Sequence, residues 1–242
     1  MYNSVFYLSL IAFFISIGSG VYFTVRWFVS GKKYTFLLYF AYGLGAQLLF
    51  KIPSILANGG AKFDQHDFYL FFYITLLAYF LAYFSLIKGL SYFENPVQKK
   101  FALGVPFFVL FSIAAVYFAL SFFVNNSYAP VWAGHIIFYL PAEFLLLHKL
   151  QQLHKQPQKS EADLKIGVKW SIFGTFLLMI TSIFYIYTQV YPYPQQFWYV
   201  SVISSPTISL LQIASGSSLF IGFYFLTRFL LKRLRNSTDS FV

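Results

Sequence analysis

The 242-residue chain contains no cysteine, only 10% of its residues are charged, and Asp and Glu together number 7. Without thiols, disulfides, zinc–thiolate sites, iron–sulfur clusters and a cysteine nucleophile are all excluded. Soluble domains carry nearer a quarter charged residues, so this scarcity of charge excludes an ordinary aqueous globule. Low-complexity tracts are missing too, and a 59% hydrophobic content is incompatible with a disordered chain.

What the chain does have is apolar and aromatic mass, with 33 Phe and 20 Tyr. A bilayer-crossing helix needs about 20 mainly apolar residues. Seven such segments stand out, over roughly 4–27, 34–57, 67–90, 99–124, 131–152, 166–190 and 205–231. Glycine, proline, asparagine or charge separates them, as helix-end chemistry requires. The fold expected is all-α: a polytopic integral membrane bundle of seven transmembrane helices forming one domain over 1–242, with a short basic tail over about 228–242. Met1-Tyr2-Asn3 carry no basic side chain and run into an apolar stretch too long for a signal-peptide core, so the first segment is expected to be a retained crossing. No internal repeat is visible, which weighs against transporters built from paired halves.

The formal net charge of +10 is sorted into alternate loops, so it reads as topology and not as a nucleic-acid surface. Of 17 basic residues, all but Lys51 and Lys62 fall in or beside the loops that follow the first, third and fifth segments, or in the tail. Positive loops stay inside, so the N-terminus is expected outside and the C-terminus in the cytoplasm, in a multi-pass protein of the cell (plasma or inner) membrane.

An ionisable side chain within hydrocarbon is costly and is a functional candidate by default. Glu143 lies near the middle of the fifth segment, and His135, Tyr139 and Glu143 are spaced by four, which puts them on one helical face. Pro141 between them removes a backbone N–H and frees the carbonyl of Ile137, inviting a bend. This group suits a ligand or ion site; the alternative is a protonated glutamic acid that serves packing alone. Polar stripes on the sixth segment (Ser171, Thr175, Ser182, Tyr185, Gln189) and the seventh (Ser205, Ser209, Gln212, Ser215) either face the same interior or act as interhelical glue. On the second segment, Gln47 and Lys51 share a face; Lys51 either snorkels outward or pairs at the outer mouth. The candidate ligand-binding set is therefore Glu143, Tyr139, His135, Gln212, Gln47, Lys51, Tyr185 and Ser209.

No catalytic or metal-ligating set emerges, and no cofactor is expected. Haem held by His66 and His135 is a minor alternative, because His66 sits at a segment start, shallower than His135. The leading functional expectation is a sensor or receptor-like protein binding a small, partly apolar molecule or cation in an outer-half pocket. Its partners would be the lipid bilayer and a cytoplasmic or membrane protein that takes the signal. A transporter or channel using Glu143 is the runner-up; a membrane enzyme and a structural assembly subunit follow.

Overall fold

The computed structural model describes residues 4–47, 49, 52, 55–56, 65–93, 105–120, 123, 135–155, 162–190 and 206–239. Among these there is no strand, and the fold is helical throughout. The helices are α1 (Ser4–Val29), α2 (Phe36–Gly45), α3 (Gln65–Leu90, with a 3₁₀ turn over Ser91–Phe93), α4 (Val105–Leu120), α5 (Leu140–Lys155, preceded by a π turn over His135–Tyr139), α6 (Ala162–Val190) and α7 (Pro206–Asp239). Among the described residues, three stretches are long and apolar enough to cross a bilayer: Ser4–Val29, Ala162–Phe184 and Pro206–Leu234. Phe36–Gly45, Leu77–Phe93 and Phe108–Leu120 are shorter apolar helices.

Helical period decides which side of each rod turns inward. On α1, Val5, Ser9, Ala12, Ser16, Ser19, Gly20 and Phe23 are buried at three- and four-residue steps. Tyr7, Ile11, Phe14, Val21 and Val25 on the opposite side are about half exposed or more. An apolar outer surface of that kind suits acyl chains and not water. Neighbour relations close a ring in the order α1, α2, α3, α5, α6, α7 and back to α1, while α4 packs against the outer side of α3. Phe108, Val109, Ile113, Val116 and Leu120 of α4 are accordingly exposed.

Two seams rest on small residues. A Cβ on Gly20 would stand 2.8 Å from the Cα of Gly45, so α1 and α2 touch backbone to backbone. Ser16 Oγ donates to the carbonyls of Leu44 at 2.5 Å and Gly45 at 3.2 Å, where α2 stops. A helix end inside the bundle leaves carbonyls without partners, and Ser16 supplies the missing donor. The second segment, expected as one helix over 34–57, is thus continuous only to Gly45; Lys51 lies outside the described residues. Along the other seam, a Cβ on Gly222 would come 2.6 Å from the backbone nitrogen of Ser171 and 2.9 Å from the carbonyl oxygen of Gly167. Ser215 Oγ, on the same side of α7, donates to the Gly174 carbonyl at 2.9 Å.

The ring is fastened at both ends. Ser9 and Ser209 hydroxyls meet at 3.3 Å between α1 and α7. At the other end Arg233 donates to the Phe93 carbonyl at 3.3 Å, and Arg228 approaches Asp163 at 3.6 Å. The end of α3, the start of α6 and the basic end of α7 therefore lie together.

Gly222→Val is expected to force α6 and α7 apart and to cost about 1–3 kcal/mol, the usual range for overpacking. Thermal unfolding of the detergent-purified chain measures this. Gly18, where an added Cβ would meet nothing within 4 Å, provides the control, and Gly18→Ala is expected to leave the melting temperature unchanged or slightly raised.

Candidate functional site

Glu143 sits one turn into α5 and is 0% exposed. The turn leading to it is unusual. Pro141 cannot donate a backbone hydrogen bond, and its ring crowds the carbonyl four residues back. The chain answers with a π turn over His135–Tyr139, immediately before the proline. Wider π turns mostly occur singly within α-helices, often at functional sites. This turn also breaks the simple four-residue spacing from His135 to Tyr139, while Tyr139 and Glu143 both end fully buried. The side chain of His135 lies outside the described residues, as do those of His66 and Tyr185.

Three helices converge on the carboxyl. Tyr83 of α3 donates its hydroxyl to Glu143 Oε1 at 2.6 Å, and Ser182 of α6 donates to the same oxygen at 2.7 Å. Tyr79, one turn before Tyr83, hydrogen-bonds the Tyr83 hydroxyl. Since the single Tyr83 proton is directed to Glu143, Tyr79 is the donor in that pair. The result is a polar chain running Tyr79, Tyr83, Glu143, Ser182 within apolar surroundings.

Aromatic rings wall this chain. Tyr139 stacks on Tyr79 with centroids 5.2 Å apart and planes at 27°, and Phe80 meets Tyr139 edge-on at 6.1 Å. Tyr79, Phe80, Tyr83 and Tyr139 are all buried. Oε2 of Glu143 is different: it is buried and has no hydrogen-bond partner among the described residues. An unsatisfied buried polar atom costs about 1–3 kcal/mol, more when charged. That oxygen is able to accept a further donor.

The other expected residues have separate surroundings. Ser209 is fully buried against Ser9, so the polar stripe on α7 contributes there to joining helices. Gln212 is 1% exposed, and Gln47 is 2% exposed with its Nε2 unbonded among the described residues. On α6, Thr175 bonds back to the Ser171 carbonyl at 2.8 Å, and of that stripe Ser182 reaches the carboxyl. Tyr79 and Tyr83 were not identified from the sequence. Their only signal is a four-residue spacing, shared by many aromatic pairs in this chain. No family model, curated protein or solved structure matches the chain.

Tyr83→Phe removes a donor from a buried carboxyl and is expected to destabilise the fold. In a Glu143→Met background the same change should cost little. The cycle is expected to give a coupling of about 0.6–1.7 kcal/mol, the span measured for hydrogen bonds between membrane helices. Denaturant unfolding of the four detergent-purified forms reads it, and zero coupling would show that hydroxyl and carboxyl do not meet.

Proposed function

We propose that the chain is a seven-crossing protein of the cell (plasma or inner) membrane, N-terminus outside and C-terminus cytoplasmic, that binds a small, partly apolar molecule and acts as a sensor. The observation that carries this reading is the buried Oε2 of Glu143, without a hydrogen-bond partner among the described residues and beside a wall of tyrosine rings. A pocket that fixes one polar head and encloses an apolar body is the usual design of a small-molecule site. The complementary ligand carries an N–H donor, preferably cationic, which Oε2 accepts while Tyr79 and Tyr139 contact the adjoining apolar part. Glu143 has no exposed surface, so entry of a ligand requires the surrounding side chains to move. The seven crossings rest on the seven apolar segments, and the orientation on the basic residues gathered in alternate loops.

A second reading, proton or cation transport, draws on the same chain of hydroxyls, because Tyr79, Tyr83, Glu143 and Ser182 form a continuous hydrogen-bonded row.

Full-length chain in nanodiscs is expected to bind one or more arylalkyl ammonium ions saturably and to bind the matching alcohols more weakly. Glu143→Gln is expected to raise the dissociation constant by about tenfold or more, the worth of a hydrogen bond to a charged group. Absence of saturable binding across the panel, or binding indifferent to Glu143→Gln, removes the sensor reading. Proton or cation flux into liposomes that disappears in Glu143→Gln selects transport instead.

A further inference from the structure

We propose that the basic end of the bundle holds the headgroup of an anionic phospholipid, in the cavity between the end of α5 and the start of α6. The cavity has a volume of about 240 Å³ and is lined by Leu153, His154, Leu164, Lys165 and Val168. At about 30 Å³ per water, it has room for roughly eight waters. That suffices for a phosphate and its glycerol, with the acyl chains remaining in the bilayer.

The lining is divided in the way an amphipathic occupant needs. Leu153, Leu164 and Val168 are 1%, 4% and 0% exposed and form an apolar floor fixed by the surrounding core. His154 and Lys165 are exposed at the rim, and among the described residues neither pairs with a carboxylate. Asp163, the acid in the first turn of α6, approaches Arg228 at 3.6 Å. Lys155 and Lys169 are also exposed and add positive charge nearby. A soluble anion would use only the rim, whereas a phospholipid uses the rim and the floor together.

Depth supports the same occupant. Trp170, two residues beyond Val168 on α6, is 41% exposed, and Phe173 and Phe176 after it are 49% and 52% exposed. Indole rings settle at the headgroup level of a bilayer, and apolar rings facing outward mark the start of hydrocarbon. The cavity therefore lies where phosphates lie. This inference is independent of the role assigned to Glu143.

The test uses the full-length chain purified in neutral detergent, with dioctanoyl phosphatidylglycerol, dioctanoyl phosphatidylcholine and inorganic phosphate as probes. Phosphatidylglycerol is expected to raise the melting temperature saturably, and the other two are not. Lys165→Gln is expected to weaken the apparent affinity about fivefold, matching the loss of one basic residue near an anionic surface. Adding His154→Gln should weaken it further, and Lys165→Arg should leave it intact. Equal stabilisation by phosphatidylcholine would reduce the site to an apolar groove. The same shift from phosphate alone would make it a soluble-anion site. Unchanged affinity in the Lys165→Gln/His154→Gln protein would place the lipid elsewhere; any of these three outcomes overturns the proposal.

Discussion

One carboxyl group inside an apolar bundle sets the terms for the middle of this protein. A buried polar group is costly unless it is hydrogen-bonded, and more so when charged. Tyr83 and Ser182 both donate to Oε1 and offset part of that cost. Oε2 adds a further penalty because it has no partner among the described residues. The Oε2 left without a partner among the described residues is the feature on which the proposed binding role rests.

Holding that carboxyl against its donors requires three helices to keep fixed rotations. The small-residue seams do this. Gly222 faces Gly167 and Ser171 so closely that α6 cannot turn about its axis without a clash with α7. Ser182, farther along α6, consequently stays directed at α5. On the other side, α3 is held by α2, whose backbone contact with α1 through Gly20 and Gly45 leaves no slack. Rigidity in the ring and an unsatisfied atom within it are complementary. A loosely packed bundle would relax until Oε2 found a donor of its own.

How much of this was legible in the sequence varies with the kind of signal. Helical class and membrane character followed from apolar run length, a property of single segments. Glu143 was legible because an acid inside such a run is conspicuous, and Pro141 because its missing N–H has a local consequence. The form of that consequence, a π turn and not a plain bend, depends on how neighbours accommodate the wider turn. Tyr79 and Tyr83 were not legible: among 20 tyrosines, nothing local says which two point at a carboxyl on another helix. Ser182 and Ser209 looked alike as members of polar stripes. Packing separates them, one onto Glu143 and the other onto Ser9. The early end of α2 at Gly45 was hidden because hydropathy continues past it unchanged.

The position of the carboxyl along α5 connects the two ends of the molecule. Glu143 and His154 lie on the same helix, eleven residues apart, which at 1.5 Å per residue is about 16 Å. Across that distance α5 runs beside α6, which supplies Ser182 at one level and Lys165 at the other. Helices packed at protein density move as rods and do not deform continuously. Under the proposed binding role, a ligand drawing on Oε2 would act on the contacts that hold α5 against α6 and α3. Any rod-like shift between α5 and α6 alters the spacing of Leu153 and His154 from Leu164 and Lys165. The basic end and the buried acid thus share the packed pair α5 and α6, with the π turn at the far end of α5 from His154.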